Sequence, residues 1–120
     1  MKKPFSITLV LSLFLFGGLA GNLASAQEYR ISMQEWEYHP AELTIEYGDT
    51  VIWVNDDDTL HNLYFEDALP GVPVMKKPLK IRKGREFSYT FNKIGSFNYL
   101  CKIHRGQDMK GKIIVTEVAK

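Results

Sequence analysis

From Gln27 onward the chain predicts an all-β domain, a two-sheet sandwich of seven or eight short strands. No helical period is sustained for three turns, aromatic and aliphatic residues alternate with polar ones in several short runs, and turn residues recur about every eight to twelve positions.

Taken in order, Tyr29 to Met33 reads as a first strand, and Tyr38-His39-Pro40 then breaks it, since proline cannot donate to a ladder. Leu43, Ile45 and Tyr47 alternate with Thr44 and Glu46, which gives a half-buried strand ahead of the Tyr47-Gly48-Asp49 turn. Val51 to Val54 continues as a strand too apolar for alternation to assign a face. Asn55-Asp56-Asp57-Asp58 reads as a solvated polar turn; it lacks the glycine and terminal glutamate of a calcium-binding loop. Asp67 to Pro78, with Leu69-Pro70-Gly71-Val72-Pro73, is an irregular connection, and Pro78 to Arg82 offers a short strand or edge. Lys83-Gly84 turns the chain into the alternating Phe87, Tyr89 and Phe91. Phe97, Tyr99 and Cys101 alternate in the same way, placing the thiol on the core face at a strand end, and Gly111 to Val118 closes the sheet.

Ahead of this domain, Lys2 and Lys3, an apolar stretch from Phe5 to Ala20 and Ala24-Ser25-Ala26 have the layout of a cleavable secretory signal over residues 1–26, leaving residues 27–120 as one domain. The apolar stretch is interrupted by Ser6, Thr8, Ser12 and Gly17-Gly18, and it falls short of the roughly 20 apolar residues a span needs. Export implies a periplasmic or secreted protein, in an oxidising compartment where a free surface thiol is a liability. The formal charge of +1 hides a split: residues 27–67 hold eleven acids and one base, Arg30, whereas residues 68–120 hold twelve bases and three acids. Either the molecule has a dipole that steers it toward charged partners, or interleaved strands mix the charges. The near-neutral total and the export signal disfavour nucleic-acid binding.

Cys101 is the only cysteine, so it cannot form an internal disulfide. It stands in Cys101-Lys102-Ile103-His104-Arg105-Gly106-Gln107-Asp108-Met109, with a second imidazole upstream at His61. A thiolate favours Cu(I), imidazoles accept Cu(II), and a weak axial thioether suits an ion cycling between the two. The reading is one copper ion held by His61, Cys101, His104 and Met109. Taken singly, Cys101 and Met109 would be core residues. Zinc has little use for a thioether, which counts against a zinc or metal-free interaction module. Met33 and Met75 read as packing and loop residues, and His39 as a surface residue.

Several stretches resemble the small blue-copper proteins, or cupredoxins, of the plastocyanin, pseudoazurin and amicyanin type: Pro40-Ala41-Glu42-Leu43-Thr44, Gly48-Asp49-Thr50-Val51, Trp53-Val54-Asn55, His61-Asn62, Gly95-Ser96-Phe97-Asn98-Tyr99 before Cys101, and Met109-Lys110-Gly111-Lys112. The Cys-x2-His-x4-Met spacing is similar to that of plastocyanin and pseudoazurin. The resemblance implies a Greek-key cupredoxin sandwich, a monomeric electron carrier rather than an enzyme, and protein redox partners. It also implies that the His104 ring edge reaches the surface within an apolar patch, for which Ile103, Leu69, Pro70 and Val72 are candidates, and that the Asn62 backbone N–H lies near the Cys101 sulfur. Leu60 and Ile103 stand where the family usually has proline, and Asp108 where glycine is common. A carboxylate there would favour Cu(II), so Asp108→Gly is expected to raise the reduction potential.

Lys102, Arg105 and Lys110 flank the ligands and are candidates for partner docking. The cluster of Lys76, Lys77, Lys80, Arg82, Lys83 and Arg85 is either a docking surface or a solvated face. Two functions compete on this site: one-electron transfer, and carriage of copper to another protein. No Met- or His-rich tract of the kind copper carriers often have is present.

Overall fold

A computed structural model describes residues 25–67, 69 and 78–120. The apolar part of the leader, and Pro70, Gly71, Val72, Pro73, Met75, Lys76 and Lys77 of the irregular connection, lie outside the described residues. The strands are β1 (Glu28–Gln34), β2 (Glu37–His39), β3 (Glu42–Glu46), β4 (Thr50–Asn55), β5 (His61–Phe65), β6 (Leu79–Ile81), β7 (Glu86–Thr90), β8 (Gly95–Leu100) and β9 (Lys110–Thr116), with a 3₁₀ segment at Lys102–Gln107. One sheet has the order β2-β1-β4-β7 and the other β3-β9-β8-β5-β6. The pairs β1–β4 and β3–β9 are parallel, and the rest are antiparallel.

The all-β sandwich is as the sequence predicts, with nine strands among the described residues rather than seven or eight. Two strands, β2 and β5, have no counterpart among the runs read as strands in the sequence. Instead of ending the first strand, Glu37–His39 folds back on it, with Gln34 opposite Glu37 and Ser32 opposite His39. The turn between them is Glu35-Trp36, both at positive φ (56° and 63°), as a two-residue type I′ hairpin requires. Such turns are usually written with asparagine, aspartate or glycine, so neither residue announced it.

β4 lies inside its sheet between β1 and β7, and Val51 to Asn55 are all buried, which is why no alternation was visible there. Trp53 occupies the centre of the core, with the rings of Phe65, Phe87, Phe91 and Tyr99 at 5.6–6.4 Å. The expected turns form at Gly48 (φ 94°) and Gly84 (φ 75°). Buried Asp49 secures the first of them: its carboxylate accepts the backbone N–H groups of Gln27 and Glu46, each at 2.8 Å. Exposed ion pairs Arg30–Glu86 and Lys83–Asp58 link the two halves of the sequence, and in the five-stranded sheet β9, β8 and β6 of the basic half lie beside β3 and β5 of the acidic half.

Candidate metal centre

Two strand ends and one loop meet at one end of the sandwich. β8 carries Phe97 and Tyr99 into the core and delivers Cys101 at its end, fully buried. The backbone then tightens into the 3₁₀ segment. The Cys101 N–H donates to the Met109 carbonyl (2.9 Å), closing the loop at its base, and the His104 N–H donates to the Cys101 carbonyl (3.2 Å). His104 departs from helical geometry (φ −113°, ψ 35°), a kink at the residue whose imidazole joins the cluster. Met109 is buried with Cys101 in the same core cluster and lies near His61. β5 opens with His61, also fully buried.

The donor atoms of His61, Cys101 and His104 all lie within 4.8 Å of one another. Hydrogen bonds decide which ring nitrogens face inward. His61 Nε2 is 3.1 Å from Asp57 Oδ2, and a carboxylate there makes Nε2 the donor. Its Nδ1 is then left with a bare lone pair, buried and without a partner. His104 Nε2 donates to the Leu60 carbonyl (3.1 Å), which again leaves Nδ1. Burial holds the His61 imidazole below its ordinary range, more strongly than the Asp57 carboxylate raises it, with His104 adding to the lowering. Asp57 is held below the usual carboxylate range, chiefly by its hydrogen bond to His61. A neutral imidazole with a buried, unpartnered nitrogen is a metal ligand waiting for its ion.

Asn62 couples the two halves of the site. Its N–H donates to Cys101 Sγ (3.4 Å), its side-chain oxygen accepts the Lys102 N–H (2.8 Å), and its carbonyl accepts the Tyr38 hydroxyl (2.7 Å). The first contact is the one the resemblance implies. The other two lock β5 to the ligand loop and to β2.

Four residues that sequence reasoning passed over shape this centre. Asp57, read as solvated loop, orients His61. Asn55, fully buried, forms the turn that presents it: Nδ2 donates to the carbonyls of Thr59 (2.9 Å) and Ile81 (2.8 Å), and Oδ1 accepts the Asp57 N–H (2.9 Å). Tyr38, read as part of a strand break, reaches Asn62. Trp36 places its ring 4.3 Å from that of His104 and 6.2 Å from that of His61. An acidic residue four positions before a histidine was the available signal for Asp57; nothing local pointed to Trp36.

Of the surface candidates, Ile103 is exposed, but Leu69 is buried in the core. His104 is 6% exposed, so only a small part of it reaches the surface. The Asp108 carboxylate faces solvent 3.3 Å from Lys110 Nζ, and its φ of 58° explains why glycine suits that position. Lys102 extends over the ring of Tyr64 (3.8 Å to its centroid). Lys80, Arg82, Lys83 and Arg85 are exposed, with Leu79 and Phe87 beside them at the edges of β6 and β7, and Lys83 is paired with Asp58. The side chain of Arg105 lies outside the described residues.

A β-sandwich holding two buried imidazoles, one thiol and a thioether at one end defines the class of mononuclear soft-metal proteins suited to a single type 1 copper. The model of the copper-binding plastocyanin/azurin family matches residues 26–116, and the chain belongs to that family. It is 35% identical to plastocyanin of Synechococcus sp. (strain JA-2-3B'a(2-13)), over 91% of each protein. It is 32% identical to amicyanin of Paracoccus denitrificans over 71% of this chain, an alignment that spans 63% of that relative's length. Among solved structures, amicyanin from Paracoccus versutus superposes with a TM-score of 0.61 at 28% identity, over 81% of this chain and 88% of that one. A pseudoazurin from Sinorhizobium meliltoi superposes with a TM-score of 0.59 at 31% identity, over 78% and 76%.

Proposed function

We propose that the protein is an extracytoplasmic one-electron carrier and not an enzyme, with His61, Cys101 and His104 as the in-plane ligands of one type 1 copper and Met109 as the weak axial ligand. The observation that carries this reading is the buried, unpartnered Nδ1 of His61 within 4.8 Å of the other donors. The two imidazoles are fixed by Asp57 and Leu60 and the thiol by the Asn62 N–H, so the ligands need little rearrangement when the charge at the centre changes. Core packing around Cys101 and Met109 excludes water that would add a ligand to the oxidised ion. Copper supplies the redox couple; the chain supplies a rigid, dry donor set. The signal-like layout of residues 1–26 supports a periplasmic or secreted location, and the relatives named plastocyanin and amicyanin support exchange with protein redox partners.

Optical and electron paramagnetic resonance spectra of the copper-loaded domain test this. An intense thiolate-to-copper visible band with small copper hyperfine splitting is expected, lost in Cys101→Ser; a colourless complex overturns it. Reversible redox with fast self-exchange supports the electron carrier, whereas ready transfer of Cu(I) to an acceptor protein supports copper delivery instead.

A further inference from the structure

Trp36 combines three properties that core packing does not require. It sits at φ 63°, directly after Glu35 at φ 56°. A bulky residue in the left-handed region is an outlier, with a cost of about 1–3 kcal/mol that persists only where the surroundings impose it. The two-residue turn would be better served by glycine, so tryptophan is not there for the turn. The residue is also 41% exposed, so it is not there as core filler. Finally, its ring lies at 64° against the ring of His104 at 4.3 Å. The turn is pinned in place from the ligand side: Asp57 Oδ2, which accepts from His61, also accepts the Glu35 N–H at 3.3 Å, and Ser32 donates to Asp56 at 2.6 Å.

His104 lies beneath this ring, 6% exposed, with Nε2 committed to the Leu60 carbonyl. Of the two rings in contact, the indole belongs to the residue that offers far more surface to solvent, 41% exposed against 6% for His104. We propose that Trp36 is the contact through which the chain exchanges electrons with one-electron partner proteins, replacing the ring edge of His104 as the outermost group of the centre. Electron tunnelling falls exponentially with the gap between groups. An indole packed on the imidazole fills the gap that a recessed ligand would leave against a partner's surface. The exchange balances as one electron lost by the donor protein's centre and gained by the acceptor's, with no bond or proton moving and the indole itself neither oxidised nor reduced. The proposal rests on the electron-carrier reading.

The test uses the mature chain with two variants, Trp36→Gly, which suits the turn, and Trp36→Phe, which keeps an aromatic ring. In the metal-free protein a neutral gadolinium chelate should broaden the Trp36 indole protons strongly and the His104 ring protons weakly, and Trp36→Gly should expose the His104 protons to broadening. In the copper-loaded protein, Trp36→Gly should keep the visible band, the sign of an intact ligand set, while slowing self-exchange by about one decade, and Trp36→Phe should stay within about threefold of wild type. Equal broadening of Trp36 and His104 in the wild type overturns the proposal. So does a Trp36→Gly variant that exchanges at the wild-type rate, or one whose slower exchange comes with a changed visible band, which would make Trp36 a modifier of the ligand set. A wild type without the visible band sinks the carrier reading itself, a failure told apart by the spectrum.

Discussion

The carboxylate of Asp57 sits 3.1 Å from Nε2 of His61, four residues along the chain, and so fixes which nitrogen of that imidazole faces the centre. Removing such a carboxylate frees the ring to rotate or change tautomer, and partners of this kind are typically worth about 10–100-fold in metal affinity. Asp57→Ala should therefore weaken copper binding by about that factor in a chelator competition titration, whereas Asp57→Asn, which retains an acceptor oxygen, should lose less. Wild-type affinity in the alanine variant would show that burial alone orients His61.

The strand that carries the thiol was legible because its signal is local. Period-two alternation put Phe97, Tyr99 and Cys101 on one face, and they are buried as that pattern requires. What shapes the site from outside was not legible. The hairpin bearing Trp36 and Tyr38 depends on two positive-φ residues with no turn signature, held by contacts with Asp56 and Asp57 just past the end of the neighbouring strand β4. Asp57 itself stands in an acidic run whose composition says solvent, and only the buried Asn55 beneath it turns it toward His61. Leu69 fails for the converse reason: a leucine directly before Pro70-Gly71 reads as surface loop, and only tertiary packing reveals it as core.

Asp108 tests how far a surface charge reaches the centre. Its carboxylate is exposed beside Lys110, and its φ of 58° is one that glycine adopts without cost. Asp108→Gly should stabilise the fold by up to about 1 kcal/mol. It should also raise the reduction potential at low ionic strength, since a negative charge favouring the oxidised ion is gone. That shift should fade in about 1 M salt, where screening operates over roughly 3 Å. Voltammetry at two salt concentrations decides the point; a lowered potential, or a rise that salt leaves untouched, would contradict this account of Asp108.

Gly111 opens β9 directly beneath the ring of Tyr99, which it faces across the ladder from β8. A methyl group there would collide with the Tyr99 ring and hydroxyl, and Tyr99 is buried among Trp53, Phe65 and Tyr38. Gly111→Ala should cost about 1–3 kcal/mol, as overpacking does in a dense core. The companion change Tyr99→Leu should recover part of the loss on the alanine background. A chemically denatured series with the single and double variants measures this, and strict additivity would mean that the two positions do not compete for space.

Alkaline conditions should expose the buried phenols. Burial raises the pKa of Tyr38 far above the ordinary range, with the nearby Cys101 and Tyr99 adding to it, and burial raises that of Tyr99 as well. An unfolded phenol titrates near about pH 10. Above that pH the unfolded chain gives up protons that the folded chain keeps, so the unfolded state binds fewer protons and stability falls as pH rises. The contribution of both residues is therefore complete below the ordinary phenol range and is lost as pH climbs toward the raised folded values. Denaturant midpoints of the metal-free chain should begin to drop near about pH 10, and phenolate absorbance from Tyr38 and Tyr99 should appear only together with loss of the folded circular dichroism signal. Tyr38→Phe should flatten the alkaline decline while lowering stability at neutral pH by about 1 kcal/mol, through the lost bond to the Asn62 carbonyl. If all six tyrosines ionised reversibly near about pH 10 in a chain that stays folded, Tyr38 and Tyr99 would not be sealed in the core as described.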